Sequence, residues 1–312
     1  MTAVPRTTRT ATRAWTACGA SVTGFMHQQR GLGCDDAFSY GIVGDFVVAA
    51  VADGAGSVSG TSAWGAHVAC QSVLDDAMRP AFVEQYRTGS PEDGEDLVRN
   101  LFGHALRRVH LQAVAMGLDV SLLSTTLTVA VAEGDSAVFG QVGDGIVAVE
   151  SDGTIRTVLV ERKDEYANTT SFIQSDGALQ EALRTVTLRD VTAFALSTDG
   201  MSYKITNVAT GEAYEPFFRG CWQHLRGGAR TDRFAALLEG IEDDQTGDDK
   251  TMVLATLRDL GNGAAPTLTA DASPPPRIDT GFEPSTVPLS TPLSTQAPPG
   301  PRRRRWGRRQ RI

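Results

Sequence analysis

The residues able to do chemistry in this chain are aspartates, and they recur at one kind of place. The apolar run Phe46–Ala52 passes straight into Asp53-Gly54-Ala55-Gly56, Val138–Gly143 into Asp144-Gly145, and Val191–Thr198 into Asp199-Gly200. Asp248-Asp249-Lys250-Thr251 opens the run Met252–Leu257, and Asp35-Asp36 stands directly before Ala37-Phe38-Ser39-Tyr40. A lone carboxylate at the end of a buried strand is costly to desolvate without a positive partner, and several meeting at one sheet edge would repel one another. A hard divalent cation resolves both problems, because Mg²⁺ and Mn²⁺ take oxygen ligands and keep several waters. For any single Asp-Gly pair a tight turn is the plainer explanation. Asp53-Gly54 and Asp199-Gly200, however, are not followed closely by a second strand pattern, as a hairpin turn would be.

Other chemistries fit less well. Gly54, Gly56 and Gly60 follow a strand and precede a helical pattern, but their spacing misses the dinucleotide fingerprint by one residue. Asp75-Asp76 lie inside a helical pattern where that fingerprint needs an acid ending a strand, and Asp53 would face the pyrophosphate. No GxSxG elbow is present, and no Ser or Cys is flanked by a base in a recognisable order. His67, His104 and His110 sit in helical patterns as surface or packing residues; His27 lies in the Gly-rich approach to Asp35-Asp36. Cys18, Cys34, Cys70 and Cys221 are far apart and form no CxxC pair, which argues against a zinc ribbon or a disulfide scaffold and points to a reducing, cytoplasmic setting.

The elements that must position the acids are short. Val- and Ala-rich runs predict strands at Trp15–Thr23, Phe46–Ala52, Thr126–Ala132, Ser136–Val142, Ile146–Glu150, Ile155–Val160, Val191–Leu196 and Thr251–Leu257. Glu133-Gly134-Asp135 and Ser151-Asp152-Gly153 have hairpin chemistry. Helical spacing covers Ser62–Tyr86, with a kink at Pro80, and a second helix opens at Ser90-Pro91-Glu92 and runs to Met116. Shorter helices are expected at Glu215–Leu225 and Thr231–Leu238. Hairpin-linked strands with helices inserted in pairs predict an α+β fold in which antiparallel sheets are covered by helices.

The chain has 312 residues, 41% of them hydrophobic and 21% charged, as in ordinary globular proteins, and no apolar run long enough to span a bilayer. The N-terminus is basic and Thr-rich without the apolar stretch of a secretory signal. Residues 301–312 carry seven arginines and no acid although the whole chain has a net charge of −8, so an acidic body precedes a basic tail. That composition argues against a nucleic-acid-binding domain, while the tail itself suits an anionic surface or a partner. Ten of the fourteen prolines fall between Pro266 and Pro301 among Ser and Thr, the composition of an extended, disordered linker. The expected organisation is an N-terminal extension over 1–13, a folded domain over 14–258, a linker over 259–300 and the arginine tail over 301–312.

Taken in order, Gly24-x-x-His27, Gly33-Cys34-Asp35-Asp36-Ala37, Val51-Ala52-Asp53-Gly54-x-Gly56, Ser124-Thr125-Thr126-Leu127, Val142-Gly143-Asp144-Gly145, Leu196-Ser197-Thr198-Asp199-Gly200 and Asp248-Asp249-Lys250-Thr251 resemble the motifs of metal-dependent protein Ser/Thr phosphatases of the 2C type, particularly their bacterial branch. The resemblance spans about residues 18–257 and implies a four-layer αββα sandwich of two antiparallel sheets flanked by helix pairs. It implies hydrolysis of phosphoserine and phosphothreonine in proteins by a metal-activated water, with no covalent intermediate and with two Mn²⁺ or Mg²⁺ ions. Carried over by position, Asp53 bridges the two ions and the carbonyl of Gly54 binds one. Asp199 and Asp248 hold the other, and Asp144 joins Asp199 around a third, weaker ion. Asp36 matches the acid that contacts metal-bound water, so Asp36 and Asp53 carry the catalysis; Asp35, which falls where relatives have Glu or Gln, is a further candidate metal ligand. The family's phosphate-binding arginine would stand at Gly31, which leaves neighbouring Arg30, together with His27, as candidates for the substrate phosphate. Arg162–Arg184 reads as a flap beside the site. Ala55 stands where eukaryotic relatives place a histidine proton donor, Gly145 where Ser is usual, and Ser57 where a further Gly is frequent. The partners implied are a phosphoprotein and an opposing Ser/Thr kinase in signalling. A metal-binding regulatory module without turnover is the alternative function.

Overall fold

Most strands of this protein are apolar at successive positions, not alternate ones, because each sheet is buried on both faces. In the computed structural model, which describes residues 13–55, 60–160, 170–228, 231–242, 245–260 and 268–276, the elements run β1 (Arg13–Val22), α1 (Phe25–Gln29), β2 (Ala37–Val43), β3 (Phe46–Ala52), α2 (Ser62–Ala77), α3 (Pro80–Thr88), α4 (Pro91–Met116), β4 (Leu127–Glu133), β5 (Ser136–Val142), β6 (Ile146–Ser151), β7 (Thr154–Leu159), α5 (Ala178–Glu181), β8 (Arg184–Leu188), β9 (Val191–Ser197), α6 (Ser202–Ile205), α7 (Glu215–Arg226), α8 (Thr231–Glu239), β10 (Lys250–Asp259) and β11 (Leu268–Ala272). One sheet has the order β1-β10-β9-β6-β7 and the other β11-β2-β3-β4-β5-β8.

The period-two geometry of β3 shows how four layers arise. Val47, Ala49 and Val51 point between the sheets, where they meet Trp15, Phe194, Leu196 and Val253 from the opposite sheet. Phe46, Val48, Ala50 and Ala52 point outward and pack under α2 and α4, against Ala66, Val73, Val98 and Phe102. The outer face of the first sheet carries Cys18, Ala148, Ala195 and Leu254 and is covered by Phe218 and Trp222 of α7 and Phe234 and Leu238 of α8. The architecture is the αββα sandwich, α+β in class, with all sheet pairings antiparallel.

Local chemistry fixes the helix limits. Ser90 and Asp93 form a reciprocal capping box with Pro91 at the first turn of α4, and Gly117 ends that helix in the left-handed conformation. The single kinked helix expected over Ser62–Tyr86 is instead two helices, α2 and α3. Arg79, preceding Pro80, is extended at φ −67° and ψ 134°, as the clash with the proline ring requires. Three strands lie outside the expected set: β2, β8 and β11. The last corrects a boundary, since the segment expected as linker from residue 259 contains β11. That strand pairs with β2 from Leu268↔Val43 to Ala272↔Ser39, and Ser273 N then donates to Phe38 O at 2.9 Å while Ser273 Oγ accepts from Phe38 N at 2.9 Å. Residues 1–12, the remaining linker from 277 and the arginine tail lie outside the described residues. No helix among those described is long and apolar enough to cross a membrane.

Candidate metal centre

Sheet register decides where the acids meet. Ala37 pairs with Ala52, and β4 lies antiparallel between β3 and β5, so the start of β2 and the ends of β3 and β5 share one end of their sheet. In the facing sheet Met252 and Ile146 both pair with Ser197, and Val22 with Lys250. The end of β9, the starts of β6 and β10 and the end of β1 therefore share one end too. Asp36, Asp53, Asp144, Asp199 and Asp248 all sit at these ends. Carboxylate oxygens of Asp53, Asp144 and Asp199 lie within 4.8 Å of one another, and all three residues are half-buried. The tight group thus joins Asp144, and not Asp248, to Asp53 and Asp199. Asp248 is near enough for its charge to act on Asp53, Asp36 and Asp35.

Each acid is held by its backbone. The Asp53 N–H donates to Thr126 Oγ1 at 3.0 Å. Its carbonyl accepts from Thr126 N and Thr125 Oγ1, both at 2.9 Å. Gly54 bridges to Thr125 in the same ladder. A Cβ on Gly54 would lie 2.5 Å from the Asp35 carbonyl oxygen and 2.7 Å from the Ser62 backbone, so only glycine lets these segments close on one another. Gly200 is equally constrained: a Cβ there would meet the Asp249 carbonyl oxygen at 1.9 Å. Thr170 Oγ1 donates to Asp144 Oδ2 at 2.9 Å. Thr198 Oγ1 donates to Asp36 Oδ2 at 2.7 Å and accepts from Thr251 N at 3.1 Å, which links the first motif to β9 and β10.

Electrostatics make the arrangement unstable as a set of bare charges. Desolvation, then the charges of Asp199, Asp248 and Asp144, push the Asp53 carboxyl well above the ordinary carboxylate range, against a hydrogen bond with Asp36. Desolvation, then Asp53 and Asp249, do the same to Asp36, opposed by the Thr198 hydroxyl. Burial also raises Asp35, against a hydrogen bond from Ser62. Like carboxylates this close cannot all ionise unless a cation joins them. The donor set is all oxygen, and Asp53, Asp144 and Asp199 are spaced to share an ion, so the residues fit a hard divalent cation.

The other candidates have different partners. Asp35 is buried and accepts from Ser62 Oγ at 2.7 Å. His27, in α1, has Nδ1 2.9 Å from Asp249 Oδ2. Arg30 ends α1 and is exposed. Of the flap expected over Arg162–Arg184, residues 162–169 lie outside the described residues. The part beyond is tied down: Ile173 N donates to Thr125 O at 3.0 Å, and Gln174 Nε2 to Leu123 O at 2.5 Å. Arg184 donates to Gln141 Oε1 at 2.5 Å and to Gly143 O at 3.2 Å, bracing the turn that carries Asp144.

Asp249 has a part in the site that the sequence did not reveal. Its side chain is 2% exposed and accepts from Gly24 N at 2.6 Å and Asp35 N at 2.6 Å as well as facing His27. Adjacent residues in extended chain point to opposite sides, so the Asp248-Asp249 pair carried a signal that both could not serve one ion. Next to it, Lys250 Nζ donates to Leu238 O at 2.9 Å and Ile241 O at 2.7 Å, anchoring β10 to the end of α8.

A model of the protein phosphatase 2C family matches residues 23–239, more than half of the chain. A solved bacterial serine phosphatase is 15% identical, covers 78% of this chain and 98% of its own, and superposes with a TM-score of 0.51. A variant of a bacterial serine phosphatase with one arginine replaced gives 16% identity, 77% and 97% coverage and a TM-score of 0.53. The catalytic domain of the serine threonine protein phosphatase PstP, in complex with 2 manganese ions, is 18% identical over 80% of this chain and 100% of its own, with a TM-score of 0.46. At these identities the two bacterial serine phosphatase structures bear on the fold alone. No curated protein gives a significant match.

Proposed function

The chain belongs to the protein phosphatase 2C family, whose members are metal-dependent, and we propose that it hydrolyses phosphoserine and phosphothreonine in proteins without a covalent intermediate. The observation that carries this reading is the approach of Asp53, Asp144 and Asp199 to within 4.8 Å of one another, at the sheet ends. Asp53 and the Gly54 carbonyl, with Asp199 and Asp248, would hold two Mn²⁺ or Mg²⁺ ions, and Asp144 with Asp199 a third. Asp35 stands beside this set, its Oδ2 engaged by Ser62. Divalent cations there supply Lewis acidity toward the phosphoryl oxygens and lower the pKa of a coordinated water.

The chain's own residues do the rest. Thr125 and Thr126 fix the Asp53 backbone, so its carboxylate direction is set before substrate arrives. Thr198 holds Asp36 Oδ2, which orients that carboxyl beside Asp53, where it would direct the attacking water. Catalysis of phosphoryl transfer is mainly positioning and offset of charge, and a rigid carboxylate frame serves both. Arg30 and His27 are the proposed contacts for the substrate phosphate. The setting proposed is cytoplasmic signalling against a Ser/Thr kinase.

A metal-binding module without turnover is the second reading, favoured by Gly31 standing where the family's phosphate-binding arginine would be and by Ala55. Purified protein assayed on a phosphothreonine peptide, with Mn²⁺ and with excess chelator, beside Asp53→Asn, separates the two. Metal-dependent turnover lost in the variant supports the phosphatase; Mn²⁺ binding without turnover by the wild type supports the module.

A further inference from the structure

The segment between β1 and β2 has a form that metal binding alone does not explain. Helix α1 is five residues long and buries none of its side chains. Phe25 is 60% and Met26 41% exposed, the inner part of the Met26 side chain lying over Gly247. The helix is nevertheless pinned firmly. Gly24 N and His27 Nδ1 both reach Asp249, and Met26 N donates to Gly247 O at 2.9 Å. These anchors lie on either side of Asp248. Gly24 is so close that a Cβ there would stand 2.2 Å from the Asp248 carbonyl carbon. Phe25 therefore starts one residue from the backbone of a proposed metal ligand.

Charge fits the same role. Residues 23–34 contain no acid and one arginine, Arg30, in a chain whose net charge is −8. A phosphorylated segment meets less repulsion along α1 than over the aspartate cluster. Single exposed apolar residues are ordinary on protein surfaces. A rigidly held adjacent pair that continues a proposed substrate site is a recognition feature.

We propose that α1 is the substrate-reading edge of this phosphatase, and that Phe25 and Met26 take up an apolar residue flanking the phosphorylated Ser or Thr. This rests on the phosphatase reading above. The Gly24 backbone lies against that of Asp248, so the apolar residue belongs to the segment immediately flanking the phosphorylated one.

The test compares three substrates under Mn²⁺: p-nitrophenyl phosphate, a phosphothreonine peptide flanked by leucines, and the same peptide flanked by serines. The wild type is expected to prefer the leucine peptide. The double variant Phe25→Ser/Met26→Ser should lower kcat/KM for that peptide by roughly tenfold, about 1.4 kcal/mol, mainly through KM, and leave the other two substrates unchanged. No preference between the peptides in the wild type, or equal losses on both in the variant, would overturn the proposal and leave the phosphatase standing. A variant that also loses p-nitrophenyl phosphate turnover would overturn it as well, since α1 would then act by positioning the metal ligands. A wild type that turns over none of the three would overturn both readings.

Discussion

Asp53 and Asp249 occupy the same end of the sandwich and have opposite surroundings. The buried carboxylate of Asp249 accepts from two backbone N–H groups and faces an imidazole, donors that offset its repulsion with Asp35 and Asp36. The carboxylate of Asp53 faces Asp36, Asp144, Asp199 and Asp248, acids on every named side. A buried carboxylate saturated by protein donors is scaffold, because its charge is already compensated. One surrounded by its own kind is held in an unfavourable state by the scaffold, and a cation relieves it. The Asp249 knot thus keeps the Asp53 corner in place: it ties Gly24, His27 and Asp35 to the residue after Asp248.

The largest expected contrast comes from neutralising each acid. Asp53→Asn should reduce Mn²⁺-dependent turnover by on the order of 10³-fold, several kcal/mol of metal-assisted stabilisation. It should leave the metal-free protein as stable as the wild type or more so, since one repelling charge is gone. Turnover and the melting temperature in chelator measure both. A variant that melts markedly lower without metal would place Asp53 with the scaffold and dissolve the contrast.

Asp249→Ala should do the reverse, losing stability first. Its donors would be left without a partner, at about 1–3 kcal/mol for each buried group, so a loss of about 3 kcal/mol in denaturant unfolding is expected. Asp249→Asn keeps an acceptor oxygen and should lose less. Mn²⁺ affinity, measured by calorimetry, should weaken in both in the same order, because Asp248 and Asp35 lose their tie. Equal stability of the alanine variant and the wild type would contradict the knot.

The asymmetry also explains what could be read from sequence. Strand-end acids are legible because an apolar run that stops at Asp is locally visible: Asp53, Asp144 and Asp199, whose carboxylates meet, each end such a run, and Asp248 stands just before one. Strands β3 and β5 were legible in full because both of their faces are buried. What the chain hides are residues whose meaning depends on register. Thr125 and Thr126 clamp Asp53 across 72 and 73 positions of sequence, and Asp249 reaches Gly24 across 225. Strand β8 is half-buried throughout, so it lacks the continuous apolar signal of its neighbours. Strand β11 follows a Gly-Ala-Pro stretch whose composition resembles linker, and it becomes a strand only because β2 offers an unpaired edge.

The smallest effect, and the one that tests the electrostatic half of the comparison directly, is the pH dependence of the metal-free protein. Asp36 and Asp53 have carboxyls raised in the folded state, so between the ordinary carboxylate range and those raised values the native state binds more protons than the unfolded one. Stability then falls as pH rises through that window and is flat below it, where both states are protonated. In chelator the melting temperature should rise on going from alkaline to mildly acidic pH, by about 2–4 °C for each kcal/mol involved. With Mn²⁺ bound the slope should reverse, because the folded state then holds these carboxylates ionised and protons compete with the ion. Asp53→Asn should flatten the chelator profile most; Asp249→Asn, which removes a lesser charge acting on Asp36, should flatten it less while lowering stability at every pH through the weakened backbone tie.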